Sequence, residues 1–514
     1  MRNPTLPAIA WLLALSPVCA AQMPHQIPQA EPSTSQSEAR RSFFPIHVYG
    51  SFIRNYGEML AGTAGTTAGR REAAPEADRS SPFLDWWNGP YMLGGTGQFG
   101  PNIRGRLKDR GLTFDANYQG ALFGVVDSQR GSRGFWNQQF TVSASLNLGR
   151  LMEQSALHGT SFFGSIRYRD SWPESNPNEF VEANAMFNPS NWQSGTQFRV
   201  LNFGLEVDSA KFLPIENMVV LRLGWLQPQK EFIDQPLSKL FLNNAINSAK
   251  GVGGNIPFSS SFSTWGGTLT FRPHPNWYYK QGLFLSFPEA TASGNHGLAF
   301  QGFASAPSLN GLFTMGEAGF TPKIGPREMP GKYAFGWYYY GLPGQQMTSW
   351  NGTPTTGQYG FYFQADQMLY REPSEPAMGT ASFGKTIVPP KEIASAPAAQ
   401  LSEQGLKTFN LLAFAPGYAR ANVFPFYFQT GLVYTGLVPT RDKDLTMLAF
   451  GYGAYQRGVV DPDRTYSAVL EGGYRFQING WSYAQPFFQY IMRPDGTSQV
   501  QNATVLGFMV GAVF

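Results

Sequence analysis

The stretch Asn502–Phe514 reads NATVLGFMVGAVF. In a strand, alternate side chains point to opposite faces. Thr504, Leu506, Phe508, Val510, Ala512 and Phe514 then lie on one side, and Gly507, Met509 and Gly511 on the other. A terminal strand with one continuous apolar face, ending on an aromatic, suits the closing strand of a bacterial outer-membrane barrel.

Upstream the same texture repeats. Segments of about ten residues alternate apolar with polar, the length of a tilted membrane-crossing strand. Sixteen are expected, beginning near Leu112, Gly134, Thr160, Thr196, Glu216, Ser263, Trp277, Leu312, Gly331, Gly357, Leu406, Asn422, Asp444, Arg464, Trp481 and Asn502. An even count between 8 and 26 is typical of bacterial single-chain barrels. The fold class is therefore all-β, a transmembrane antiparallel β-barrel of about 16 strands.

Alternation also assigns the faces. Ser165, Arg167 and Arg169 oppose Phe162, Ile166 and Tyr168; Arg222 opposes Val219, Leu221, Leu223 and Trp225; Glu471, Arg475 and Gln477 oppose Leu470, Tyr474 and Phe476; Gln364 and Asp366 share a face. A charge facing lipid at mid-membrane costs about 2–4 kcal/mol, so the charged face is the lumen.

Composition agrees. Only 14% of the 514 residues are charged, 15% are aromatic, and there are 57 glycines. The net charge of +4 gives no reason to expect a nucleic-acid partner. The start, MRNPTLPAIAWLLALSPVCAAQ, has a basic residue, an apolar core and the small-residue site Cys19-Ala20-Ala21, and reads as a signal peptide over residues 1–21. Cys19 is the only cysteine, so no disulfide framework or thiolate metal site is expected. Beyond it no apolar run reaches the length of a spanning helix, and only a closed barrel otherwise satisfies its backbone within a membrane.

Residues 22–80 read as a flexible periplasmic extension and 81–514 as the barrel, with an Ala/Pro/Ser-rich insertion at 373–405. Ile103 and Leu107, with Arg and Lys between them, predict a short amphipathic helix at the periplasmic rim before the first strand. Short connections (273–276, 324–330, 479–480) read as periplasmic turns. Long ones (171–195, 226–262, 288–311, 343–356, 493–501) read as outer loops. Within Glu231–Ala249, Phe232, Leu237, Leu240, Phe241 and Ile246 have helical spacing, which suggests a helix folded into the mouth.

Several segments, in order, resemble the carbohydrate-selective porin family (the OprB type) of Gram-negative bacteria. They are GPNIRGRLKDRGLTFDANYQGALFG at 100–124, FLNNA at 241–245, MPGKYAFGWYYYG at 329–341, GFYFQADQMLYREP at 360–373, GLKTFNLLAFAP at 405–416, GLVYTGLVPTRDKD at 431–444, and WSYAQPFFQYIMRPDG at 481–496 with the tail to Phe514. The chain departs from the family pattern at GGTGQFGPN, 94–102, and at Gly224-Trp225. The resemblance implies an outer-membrane channel for facilitated diffusion of small carbohydrates such as glucose, without ATP or cofactor. It implies a monomer or homotrimer, in contact with outer-membrane lipid and lipopolysaccharide and delivered to the barrel-assembly machinery through its last strand. The alternatives are a general diffusion porin, one preferring small acids, and an outer-membrane enzyme barrel.

A sugar offers hydroxyls at its edge and C–H groups on its faces, so a selective lumen needs donors, acceptors and aromatic surface. The expected donors are Arg167, Arg169, Arg222, Lys280 and Arg475. The acceptors are Asp115, Glu206, Asp366 and Glu471, and Trp172 and Trp192 offer stacking surface. Each charge taken singly is also suited to solvating the lumen or bracing a neighbouring strand. Binding must stay near millimolar, roughly −4 kcal/mol, because a tight site blocks exit. Other motifs fail. Gly95–Gly100 spells GxGxxG but meets Pro101 and lacks a βαβ unit, the five histidines are scattered, and there is no GxSxG.

Overall fold

The computed structural model describes residues 82–514 apart from 154–156, 174–176, 183–184, 193–196, 210–217, 257–261, 287–295, 301–310, 343–345, 349–353, 374–402, 417–421 and 457–462. The expected signal peptide, the extension over 22–80 and nearly all of the 373–405 insertion lie outside the described residues.

Sixteen antiparallel strands make one barrel. They are β1 (Leu112–Asp115, continued past Ala116 by Asn117–Asp127), β2 (Arg133–Asn147), β3 (Thr160–Trp172), β4 (Gln197–Asp208), β5 (Val219–Leu226), β6 (Thr264–His274), β7 (Trp277–Ser286), β8 (Gly311–Phe320), β9 (Met329–Leu342), β10 (Gln358–Arg371), β11 (Gly405–Phe414), β12 (Phe426–Thr435), β13 (Leu445–Ala454), β14 (Tyr466–Gln477), β15 (Ser482–Met492) and β16 (Ala503–Val513). Each pairs with its sequence neighbours, and β16 returns to β1 from Asn117↔Val513 to Val125↔Val505, which closes the ring. Closure pairs the backbone polar groups within the wall, as a lipid environment demands.

The strand starts agree with the sequence reading to within four residues. The widest gap is at β12, expected from Asn422 and beginning at Phe426. Ahead of Phe426 the chain bonds inward instead: the Asn422 side chain accepts from Gln358 (2.9 Å), and the Phe424 N–H donates to Asn255 (2.8 Å).

The faces follow the alternation. Along β3, Phe163, Ser165, Arg167, Arg169 and Ser171 are buried inward, while Phe162, Ile166 and Tyr168 are exposed outward. Leu122, Leu205, Leu283, Phe335, Leu412 and Leu506 extend the outer apolar band. The glycines of the closing strand make room for β15. A Cβ on Gly507 would lie 2.1 Å from the Phe487 ring, and one on Gly511 would lie 2.3 Å from the Tyr483 ring.

The rim expected to face the periplasm carries helices Pro82–Asn88 and Ile103–Asp109. Trp86 and Trp87 pack on Trp481. Arg104 lies 3.6 Å from the Tyr91 ring centroid and donates to Phe514 O (2.8 Å) and to Asp115 (3.0 Å), tying the rim helix to both ends of the ring.

Candidate functional site: the lumen and its inward segments

After β5 the chain leaves the wall. Helix Pro228–Phe232, the 3-10 turn Pro236–Leu240 and helices Asn244–Asn247 and Lys250–Gly253 lie inside the barrel. Phe232, Leu237, Leu240, Phe241 and Ile246 are all buried, as their spacing required. They sit on separate short turns rather than one helix. Pro236 supplies no N–H and starts a new turn at its own position. Phe232 meets Phe284 edge-on, and Phe241 packs on Phe409. These turns share one apolar core with inward side chains of the wall, among them Phe123, Phe284, Phe313, Tyr427 and Phe487, held by burial worth about 25 cal/mol per Å².

Short turns leave backbone groups without helical partners, and the wall supplies them. The Glu471 carboxyl accepts the N–H groups of Leu242 (2.7 Å) and Asn243 (2.8 Å). Gln364 donates to Phe232 O (3.2 Å) and Gln485 to Leu240 O (3.0 Å). Gln235 reaches the other way, donating to Asp366 (2.7 Å) and Asn410 O (2.9 Å).

A second inward segment, residues 185–192, meets the first at FLNNA. Asn188 N–H donates to the Asn244 side chain (3.2 Å), Asn244 N–H to Asn188 O (3.0 Å), and Asn191 N–H to Leu242 O (2.8 Å). Gln489 bridges both, accepting from Asn243 (3.3 Å) and donating to Pro189 O (2.9 Å).

A polar cluster lies beside this core, with the Lys280 ammonium 5.6 Å from the Phe232 ring centroid. Arg222 sits between Glu206 (3.2 Å) and Glu231 (2.6 Å), with its guanidinium 4.2 Å from the Phe163 ring centroid. The Arg222 and Glu206 side chains keep 26% and 44% of their surface exposed while facing inward, so solvent reaches this level of the lumen. Lys280 donates to Glu231 O (2.6 Å) and Lys332 to Asp234 O (3.3 Å). Lys239, on the inward segment, donates to Asn247 O (2.6 Å), and burial pulls its ammonium below the ordinary lysine range. A basic belt runs round the adjoining wall. Arg169 donates to Gln139, Gln139 to Gln119, and Gln119 to Tyr483, over whose ring Arg475 lies at 4.0 Å.

The candidates from the sequence therefore separate. Arg222, Glu206 and Lys280 come together around Glu231. Arg167, Arg169 and Arg475 line the basic belt. Asp366 and Glu471 are engaged in holding the inward segment. Three further placements differ from the expected solute contact. Asp115 is paired with Arg104 at the rim, because the first strand begins there. Trp172, 75% exposed, falls on the outward parity of β3. Trp192 is buried against Phe123, because its segment folds inward. Glu231, Asn243 and Arg199 were missed. Arg199 was legible, since alternation in QFRVLNF sets it opposite Phe198. Glu231 was not, because nothing local shows that a loop residue will meet Arg222.

The profile of the carbohydrate-selective porin OprB family matches residues 120–514. The chain is 22% identical over 486 residues to Porin B of Pseudomonas aeruginosa, spanning 87% of this chain and 95% of that one. The high-pH structure of Pseudomonas putida OprB superposes with a TM-score of 0.67 at 19% identity, over 84% of this chain and 100% of that one. The low-pH structure of the same protein gives 0.50 at 17% identity, over 83% and 99%.

Proposed function

Because this chain belongs to the OprB family of carbohydrate-selective porins and is a multi-pass barrel of the Gram-negative outer membrane, we propose that it passes monosaccharides such as glucose into the periplasm by facilitated diffusion. The observation that carries this reading is the Glu206–Arg222–Glu231 cluster beside Phe163, solvent-reached and bordering the apolar packing that fills part of the lumen. The guanidinium has five donors in a fixed fork. Ion pairing engages some of them, and the carboxylates keep free lone pairs. A sugar edge meets donors and acceptors together here, and the pairing cancels much of the net charge. Each contact replaces one with water, so binding stays weak and the solute moves on.

The test is swelling of liposomes containing the purified barrel, with glucose compared against neutral amino acids of matching size. Faster glucose entry is expected. Equal rates would reduce the protein to a general diffusion pore.

A further inference from the structure

Arg199 is a buried cation that this reading does not use. It points inward from β4, is 3% exposed, and has no hydrogen-bond or ion-pair partner among the described residues; its Nη2 is buried and unsatisfied. The Phe262 ring lies 4.7 Å from the guanidinium carbon to its centroid, and Gly297 packs against the Arg199 side chain. Directly across the β3–β4 ladder stands Arg167, also inward and 7% exposed, and Arg169 follows two residues on along the same face. Like charges directly opposite on neighbouring strands destabilise a sheet, and a buried guanidinium with unmet donors is costly. Phe262 covers one face of the Arg199 guanidinium and leaves the in-plane Nη2 donors unmet. Those donors suit a charge-assisted bond to a carboxylate.

We propose that Arg199 and Arg167 form an anion subsite in the lumen wall for the carboxylate of a sugar acid, so that the channel passes aldonates as well as neutral sugars. This deepens the porin reading and rests on it only in requiring that solutes traverse the lumen. No bond is made or broken; the carboxylate binds at Arg199 and leaves along its gradient.

The experiment uses the full-length protein in planar bilayers. Reversal potential in a potassium chloride gradient gives the ion preference, and titration of the current with gluconate or glucose gives each half-saturation. Wild type is expected to prefer chloride and to take gluconate about tenfold more tightly than glucose, a difference of about 1.4 kcal/mol. Arg199→Gln should lose most of both preferences, and Arg199→Lys should retain much of them. Arg199→Gln behaving as wild type would overturn the proposal. So would a wild-type channel that prefers potassium or takes gluconate no more tightly than glucose, a result readable even if the variant fails to insert. Glucose swelling, measured separately, decides the sugar reading on its own.

Discussion

Glu471 offers the sharpest test of how the lumen keeps its shape. Its carboxyl takes two backbone N–H groups, from Leu242 and Asn243, at 2.7 and 2.8 Å, and the residue is 1% exposed. Glu471→Ala removes both acceptors at the point where the two inward segments join. An orphaned buried donor costs about 1–3 kcal/mol, so two weaken the docked state by about 2–6 kcal/mol if water cannot reach them. At about 1.4 kcal/mol per tenfold, even the lower figure multiplies the undocked population roughly 30-fold. Single-channel recording should show a larger mean conductance with frequent excursions to a wider level. Glu471→Gln, which keeps one acceptor oxygen, should fall between. Wild-type conductance and noise in a correctly folded Glu471→Ala barrel would refute the reasoning. They would show that the apolar contacts of Phe232 and Phe241 hold the segment unaided.

Arg222→Ala leaves Glu206 and Glu231 without their shared cation, so glucose swelling should slow about tenfold, the equivalent of about 1.4 kcal/mol, and the reversal potential should move toward cation preference. Asp444, in the turn before β13, accepts from Arg441 (2.8 and 2.9 Å), Tyr474 (2.8 Å) and the Gln477 N–H (2.9 Å). Burial works against its charged form, but those bonds outweigh it and hold the carboxyl below its ordinary value. A depressed carboxyl pKa adds stability that is present above the unfolded value, about 3.9, and is lost as pH falls through the folded one. The unfolding temperature read from gel mobility should therefore separate wild type from Asp444→Asn by a constant gap between pH 8 and 5, closing below about pH 4. Gly507→Leu drives a side chain into the Phe487 ring. It should cost about 1–3 kcal/mol or more, seen as a lower urea midpoint or a failure to close the ring.

The wall was legible because it obeys a local rule. In SFFGSIRYRD the residues from Phe162 to Arg169 alternate sides, because a charge facing lipid at mid-depth is costly; Asp170, with outward parity, comes only at the end of the stretch. The same rule placed Glu471 and Asp366 inward but could not say what they face. Glu471 meets residues 229 and 228 positions away in sequence, a contact that exists only once the loop has entered the barrel. The apolar run over 231–249 announced burial, yet its helix-like spacing concealed how Pro236 divides it. Trp172 shows the opposite error. An aromatic near an outer loop suggested a sugar platform, while its even position in β3 had already set it on the side of Phe162 and Tyr168.

The two polar levels of the lumen answer different physical demands. At Arg222 opposite charges cancel beyond a few ångströms, so an approaching ion gains little, while a hydroxyl at bonding range finds both donor and acceptor. At Arg199 and Arg167 like charges add, and what they favour is an anion. Glu206 pairs with Ser161 and Arg199 with Arg167, six residues apart along β3 and so about 20 Å of strand. That is roughly twice the screening length of about 10 Å at 0.1 M salt. The two levels should therefore act independently. Arg222→Ala should change glucose entry with little effect on gluconate affinity, and Arg199→Gln should do the reverse. If either substitution moved both solutes equally, the lumen would hold one extended electrostatic site, and the division by level would be wrong.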